Sequence, residues 1–360
     1  MRENVASIQF LRFVAATLVV LFHSTQAISK YFNDSIASLF TRFADLGASG
    51  VHIFFVISGF IMIYTSFGRK DDVFSTKNFL TKRIIRIYPI YFIYSALYLC
   101  FYHYFANGKN LSLGEFFGSI FLIPGYSSLL IGPGWTLSYE VYFYACFGIA
   151  MMLGLTRGIL ALTLFFLAAI FFRFAIDTNQ PVIHVMTNTL LVEFLFGAWI
   201  GYAVLSTVRI SNKLANMMLV LAITGFLAGY SFNHFPSVIT WGIPSAFLVA
   251  GFVFKERNGR IPFLIKKCAF LGDSSYSLYL LHIVLIDAVI LLTIYLDESI
   301  RMHVYRIGEF GMIVVCFAVT AYCIAVAFIS YELIEHKVVG RLQDLYRRKF
   351  AVVPGIVHPH

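Results

Sequence analysis

Residues 6–28 of the chain read ASIQFLRFVAATLVVLFHSTQAI, an apolar run interrupted by one arginine, Arg12, and one histidine, His23. A helix needs about 20 apolar residues to cross the hydrocarbon core of a bilayer, so this run predicts a membrane-spanning helix. The N-terminus is polar for only a few residues, and the run has no small-residue cleavage site. These features favour a retained first span over a removed signal peptide.

The rest of the chain continues this pattern. Of its 360 residues, 59% are apolar and 12% are charged, whereas soluble globular proteins have about 45–50% and 25%. Nine further apolar segments lie at about 46–66, 86–105, 135–154, 158–176, 186–205, 214–232, 238–254, 274–295 and 307–331. The sequence therefore predicts an all-α polytopic membrane protein of about ten helices. We expect one membrane domain over 1–340 and a short basic tail over 341–360.

The basic residues fall mainly on one side of the predicted membrane. With a cytoplasmic N-terminus, 20 of the 27 lysines and arginines lie in cytoplasmic segments and five in external ones. Cytoplasmic loops carry such an excess, so we expect both termini in the cytoplasm. Topology thus accounts for the net charge of +9, and we expect no nucleic-acid partner. The external segment 106–134 has the spacing of a short helix, either on the membrane surface or packed as a lid.

Titratable groups within hydrocarbon are costly and are therefore candidate functional residues. Arg12 and His23 are three helical turns apart, so they share one face at a separation of about 16 Å. Glu140, in the stretch GWTLSYE at 134–140, falls at a depth similar to that of His23. A histidine near a carboxylate is the general-base pair that deprotonates a hydroxyl. The alternatives are a packing histidine, an arginine that reaches the interface, and a carboxylate favoured by the helix dipole.

Two further stretches carry candidate residues. In RIIRIYP at 83–89, Arg83 and Arg86 share a helix face and can form a fork for phosphate oxygens, although such a cluster can also be a topology signal or contact anionic lipid. In SSYSLYLLH at 274–282, Tyr279 and His282 share a face that could line an internal cavity, the alternative being a core histidine. The sequence has no zinc, Walker or nucleophile-elbow motif, so we expect neither a metal nor a redox cofactor.

In their order along the chain, these residues resemble the acyltransferase-3 family of integral membrane acyltransferases. The matching stretches are the Arg12–His23 spacing, VHIFFVISGF at 51–60, RIIRIYP at 83–89, WTLSYE at 135–140 and YSLYLLH at 276–282. The stretch WGIP at 241–244 is similar to the branch that acetylates exopolysaccharides. The chain departs from the family pattern after Glu335, where His-Lys replaces the frequent Lys-Pro. We also expect no soluble esterase-like domain of the kind that some members append.

The resemblance implies an enzyme that moves an acyl group, usually acetyl, from cytoplasmic acyl-CoA to a hydroxyl of a surface or lipid-linked saccharide. It implies a multi-pass protein of the bacterial inner membrane, with the lipid bilayer as its surroundings and acetyl-CoA as a donor substrate rather than a permanent cofactor. The expected catalytic residues are His23, Glu140 and Arg12, the expected donor-binding residues are Arg83, Arg86 and Tyr88, and the expected cavity residues are Ser58, Trp135, Tyr139, Tyr279 and His282. Two alternatives remain: a transporter or flippase of a lipid-linked sugar, which the lack of a visible inverted repeat disfavours, and a sensor or anchor without chemistry.

Overall fold

The computed structural model describes residues 5–31, 38–67, 74–105, 111–126, 130–173, 180–231, 234–296 and 308–351. Within these ranges the chain forms helices joined by short turns, and it contains no strand. Ten helical segments of this described part are long and apolar enough to cross a membrane. The predicted all-α polytopic fold is therefore confirmed.

The helices are numbered here in chain order. They are α1 (Ala6–Tyr31), α2 (Ser38–Asp45), α3 (Ser49–Ser66), α4 (Thr76–Phe105), α5 (Leu113–Ile120), α6 (Gly134–Ala150), α7 (Leu155–Arg173), α8 (Pro181–Met186), α9 (Leu191–Leu205), α10 (Asn212–Ser231), α11 (Ile243–Arg257), α12 (Phe263–Cys268), α13 (Ser275–Leu296), α14 (Gly308–Ser330) and α15 (His336–Ala351). Two π-helical turns, Val238–Gly242 and Tyr331–Glu335, lead directly into α11 and α15.

Helix α1 is central to the bundle and packs against α3, α11, α13 and α14. Small residues make this possible, because Ala15 and Ala16 are fully buried. A Cβ on Gly50 of α3 would lie 2.3 Å from the carbonyl oxygen of Ala15. Helices in lipid associate through such close van der Waals contact between small residues. The central position of α1 brings its polar residues into the interior of the bundle.

A carboxylate from α11 holds the start of α1. Glu256 accepts hydrogen bonds from the amides of Ala6 and Ser7, both at 2.8 Å, and from the Ser7 hydroxyl at 2.5 Å. The first amides of a helix have no intrahelical acceptor, and a negative charge is favourable beside them. Capping of this kind contributes about 0.5–2 kcal/mol to the stability of a helix. Glu256 thereby fixes the height of α1 relative to α11.

Helices α3 and α9 make the closest helix pair near the candidate site. A Cβ on Gly59 of α3 would lie 1.9 Å from the carbonyl oxygen of Phe194 on α9. Only glycine permits two main chains to approach so closely. The pair also packs Phe55 against Phe194, with ring centroids 4.7 Å apart. Side chains that point from α3 towards α9 are therefore held at a well-defined separation.

The expected short helix within 106–134 is present as α5. Ser112 and Glu115 form a capping box at its start, with the Ser112 amide donating to Glu115 Oε2 at 2.9 Å. These hydrogen bonds from Ser112 hold the pKa of the Glu115 carboxyl below its usual range. The side chains of Leu113 and Phe117 are exposed. That exposure suits an apolar face directed at lipid.

Two predicted boundaries differ from those observed. Helix α4 begins at Thr76, well before the expected start near residue 86, because the basic residues at its start are tolerated where a helix leaves the hydrocarbon. At the other end, the helical path runs from α14 through the π-helical turn into α15, which ends at Ala351. The predicted tail is thus helical over 341–351, and residues 352–360 lie outside the described residues.

Candidate active site

Three arginines from two helices line one cavity, which we call the arginine cavity. Arg12 comes from α1, and Arg83 and Arg86 come from α4. The cavity has a volume of about 90 Å³. The other polar residues that line it are Ser58, Thr136, Glu140, Tyr144, Ser275, Tyr276 and Tyr279. With three guanidinium groups and one carboxylate, this lining is suited to an anionic ligand.

Arg12 is held in place by a short chain of side chains. Its Nη1 donates to Gln9 Oε1 at 3.1 Å, and Gln9 Nε2 donates to Asp273 Oδ1 at 3.0 Å. Arg12 is 8% exposed although it carries a charge. Because an isolated buried charge is costly, this arrangement argues against a purely packing role for Arg12.

Arg83 has a buried donor for which the described residues provide no acceptor. Its Nη2 donates to Thr65 Oγ1 at 3.2 Å, and its guanidinium lies 5.7 Å from the centre of the Tyr144 ring. Its Nε is buried and has no hydrogen-bond partner among the described residues. A buried donor of this kind is available to an anionic oxygen bound in the cavity.

Glu140 belongs to the arginine cavity. Its Oε1 accepts a hydrogen bond from Ser58 Oγ at 2.9 Å and a short one from the Tyr144 hydroxyl. The expected pairing of Glu140 with His23 is not found among the described contacts. Similar depth did not bring these two side chains together, because the carboxylate is turned towards α3 and the arginines. Among the described contacts, His23 therefore does not have Glu140 as its carboxylate partner.

A larger cavity, which we call the histidine cavity, contains His23. Its volume is about 550 Å³, within the range of pockets that bind small ligands. The residues that line it are Val19, Phe22, His23, Ala48, Val51, His52, Gly132, Pro133, Trp135, Leu190, Ser237, Tyr279 and Ile283. Trp135 is 39% exposed and offers an open aromatic surface. The cavity therefore combines apolar walls with two imidazoles and one indole.

Tyr279 lies between the two cavities. It lines both of them, as does Val51. The Tyr279 hydroxyl forms a hydrogen bond with Thr136 Oγ1 at 2.9 Å, which ties α13 to α6. Arg12 and His23, on the same helix, thus line neighbouring cavities that share part of a wall.

His282 lies beside His23 without lining either cavity. Its Nδ1 is 2.7 Å from the carbonyl oxygen of Tyr279, and its ring centroid is 5.2 Å from that of His23. The side chain is fully buried, and its Nε2 has no partner in the part of the chain that the structure describes. The neighbouring rings place His282 directly against the cavity histidine.

Two further expected site residues, like His282, lie outside both cavities. The Tyr88 hydroxyl makes a long hydrogen bond of 3.5 Å to the carbonyl oxygen of Phe121, away from the arginines. Tyr139 is buried and packs against Phe55 and edge-on against Trp135. Both tyrosines lie on helices that carry site residues, but their side chains support the packing around the site.

Other site residues were not singled out from the sequence. Tyr144 and Tyr276 line the arginine cavity, and the Tyr276 hydroxyl donates to the carbonyl oxygen of Ile87 at 3.0 Å. His52 lines the histidine cavity, and its Nδ1 is 2.7 Å from Glu193 Oε1. His52 could be predicted from the sequence by the cost of placing a titratable group in hydrocarbon, which applies to His52 as much as to His23. The described residues contain no group of three or more side chains that could hold a metal ion.

The sequence of the chain is similar to those of known proteins. A family model, Acyl_transf_3, described as acyltransferase domain, matches residues 5–332. The exopolysaccharide production protein ExoZ of Rhizobium meliloti is 27% identical over 282 residues, which cover 75% of this chain and 82% of ExoZ. An uncharacterized protein of Haemophilus influenzae is 30% identical over 204 residues, 47% of this chain and 82% of that protein. No solved structure matches the chain.

Proposed function

The chain belongs to the acyltransferase-3 family of membrane acyltransferases, and from this membership we propose that it moves an acetyl group from acetyl-CoA to a hydroxyl of a surface or lipid-linked saccharide. The observation that carries the proposal is the adjacency of a cationic cavity and a larger cavity with two histidines. The first suits a phosphorylated donor and the second a hydroxylated acceptor.

The arginine cavity supports acetyl-CoA as the donor. Arg83 and Arg86 share a helix face, and guanidinium groups bind phosphate oxygens through paired hydrogen bonds. The buried Nε of Arg83, without a partner in the described chain, adds one more donor for such an oxygen.

The histidine cavity supports a saccharide acceptor. A volume of about 550 Å³ accommodates a sugar ring. The exposed indole of Trp135 offers a flat apolar surface for the C–H face of a pyranose, while His23 and His52 offer nitrogen atoms to its hydroxyls. ExoZ, a relative over 75% of this chain, is described as an exopolysaccharide production protein.

His23 is the residue to which we assign the acyl-transfer chemistry. It lines the acceptor side of the wall that Tyr279 shares between the cavities. An imidazole in this position either assists direct attack of the hydroxyl on the thioester or carries the acyl group as a covalent intermediate. Both routes require the His23 side chain.

The excess of basic residues in alternate loops supports a cytoplasmic N-terminus in the bacterial inner membrane. In this orientation Arg83 and Arg86, near the start of α4, face the cytoplasm, where CoA thioesters are made. His23, near the end of α1, faces the opposite side. The donor and the acceptor would then approach the site from opposite sides of the membrane.

The proposal is tested with membranes that contain the full chain and acetyl-CoA labelled in the acetyl group. The acceptor is the saccharide fraction of the cells that carry the protein, de-O-acylated with mild alkali. We expect ester-linked label in the saccharide, released again by alkali, and no label with His23→Ala. Saccharide that moves between the membrane faces without acquiring label would instead establish the transporter alternative.

A further inference from the structure

A buried pair of side chains joins α3 to α9 beside the histidine cavity. His52 Nδ1 lies 2.7 Å from Glu193 Oε1. Glu193 is fully buried and His52 is 8% exposed. Placing a carboxylate in the interior of a membrane protein is costly unless it has a partner, and such groups mark functional sites by default. The simplest alternative is a pair that only fastens α3 to α9.

The main chain around Glu193 is built to admit its carboxylate. A Cβ on Gly242, in the π-helical turn before α11, would lie 2.8 Å from Glu193 Oε1 and 3.0 Å from its Cγ. Any larger residue at position 242 would push the carboxylate away from His52. Glu193 Oε2 is also buried, with no hydrogen-bond partner among the described residues. The π-helical turn before α11, in addition to α3 and α9, thus leaves space for the Glu193 carboxylate.

The position of His52 argues for more than a structural role. It lines the same cavity as His23. A carboxylate accepts hydrogen bonds but does not donate them, so a neutral His52 donates its Nδ1–H to Glu193 and keeps a lone pair on Nε2. Fixing one imidazole nitrogen with a carboxylate, so that the other can take a proton, is how enzymes orient a general base.

We propose that His52, oriented by Glu193, is the base that accepts the proton of the acceptor hydroxyl in the histidine cavity. The assignment rests on the proposed acyl transfer and gives the two cavity histidines different tasks. The sequence predicts a carboxylate–imidazole pair between His23 and Glu140, whereas the pair observed in the structure joins His52 and Glu193.

The step balances in the following way. The O–H bond of the acceptor breaks and its proton goes to His52 Nε2, while the oxygen forms a bond to the acyl carbonyl carbon. The bond from that carbon to its leaving group, the CoA sulfur or a nitrogen of His23, breaks with its electron pair. The proton on His52 then passes to that leaving group, which restores the neutral imidazole. Glu193 touches no substrate and acts as a positioning residue.

The test compares steady-state kinetics of the full chain purified in detergent, with acetyl-CoA and the de-O-acylated saccharide fraction as substrates. Removal of a general base lowers the rate by about 10²–10⁴-fold. For His52→Ala we expect a loss of kcat in this range, with the KM for acetyl-CoA within about twofold of the parent value. Glu193→Gln should lower kcat at least tenfold with the same unchanged KM. Added imidazole should raise the kcat of His52→Ala at least tenfold, because the histidine cavity has room for it.

Gly242→Ala tests the pair without altering either member, and it decides the question if His52→Ala does not fold. Its Cβ would displace the Glu193 carboxylate, so we expect a lower kcat with an unchanged KM for acetyl-CoA. The matched controls are His103→Ala, Glu309→Gln and Gly340→Ala, because His103 and Glu309 are exposed and a Cβ on Gly340 meets nothing within 4 Å. Each control should keep kcat within about twofold of the parent.

The following results would overturn the assignment. One is a folded His52→Ala protein with the parent kcat. Another is a His52→Ala protein whose lowered kcat does not rise when imidazole is added. Either result would leave the pair with a structural role only. A Gly242→Ala protein with the parent kcat would do the same. A parent protein that transfers no acetyl group would overturn the proposed function together with this assignment, whereas an active parent with unaffected variants would overturn the assignment alone.

Discussion

Gly197 of α9 lies so close to Val56 of α3 that a Cβ at position 197 would be 1.8 Å from the Val56 carbonyl oxygen. The next small residue on this face, Gly201, lies four residues further along α9 and packs against Ile63 of α3. This spacing is the small-xxx-small pattern by which membrane helices approach closely. The contact determines how far Glu193 on α9 stands from His52 on α3.

We therefore expect Gly197→Ala to destabilise the protein. The new methyl group meets main-chain atoms, which cannot move aside, so the helices must separate. Overpacking of this kind costs about 1–3 kcal/mol of the free energy of unfolding, occasionally more. Thermal unfolding in detergent measures the effect, and Gly340→Ala, in open space on α15, serves as the control. An unfolding midpoint for Gly197→Ala equal to that of the parent would show that α3 and α9 are less closely packed than described.

We expect His23→Ala to abolish acyl transfer while the protein still inserts and remains folded. His23 lines the cavity assigned to the acceptor, and loss of an acid–base or nucleophilic group lowers the rate by about 10²–10⁴-fold. Transfer of labelled acetyl is measured at matched amounts of inserted protein. The exposed His103→Ala variant is the control, and near-parent transfer by His23→Ala would exclude an essential role for this residue.

Replacing Arg83 and Arg86 together by lysine should weaken donor binding more than it slows the maximal rate. Lysine keeps the charge but loses the planar, two-pronged arrangement of donors. The expected result is a KM for acetyl-CoA raised at least tenfold with a smaller change in kcat. The exposed Arg347→Lys variant controls for general effects of the exchange. An unchanged KM in the double variant would leave the two arginines as topology signals.

Glu140→Gln should alter stability without moving the pH dependence of the rate. The carboxylate accepts hydrogen bonds from Ser58 and Tyr144 and has no described contact with His23. Losing two bonds to a charged acceptor costs about 1.5–3 kcal/mol each when it is not compensated, and the amide retains part of them. Thermal unfolding and a pH–rate profile beside the parent separate the two effects. A profile displaced along the pH axis would mean that Glu140 does act on the catalytic imidazole.

The ten spans were predictable because length and apolar composition determine whether a segment can cross a bilayer. The ends of the helices were harder to predict, as α4 illustrates. Its first turns carry Lys77, Lys82 and Arg83. Hydropathy alone assigns these residues to a loop, although their long side chains can reach the interface from a continuing helix. The start of α4 therefore depends on how its flanking charges are solvated, and a count of apolar residues does not contain this information.

The arginine cluster and His23 could be proposed from the sequence, but the partner of each histidine could not. Depth in the membrane follows from position along a helix, whereas the direction in which a side chain points depends on how that helix is rotated against its neighbours. The sequence pairs Glu140 with His23 by depth alone. The rotation of α6 turns Glu140 towards Ser58, and the contact between α3 and α9 gives His52 its carboxylate instead.

The hydrogen bond between Tyr279 and Thr136 also has a consequence for the electrical insulation of the membrane. Polar cavities inside a helix bundle can fill with water, and a continuous column of water would conduct protons along the membrane potential. Each charge that leaks in this way dissipates about 2.3 kcal/mol per 100 mV. The Tyr279 side chain, tied to α6 by this hydrogen bond, lies in the wall shared by both cavities, where it would interrupt such a column. We therefore expect the protein to hold two polar cavities side by side without giving protons a continuous path across the membrane.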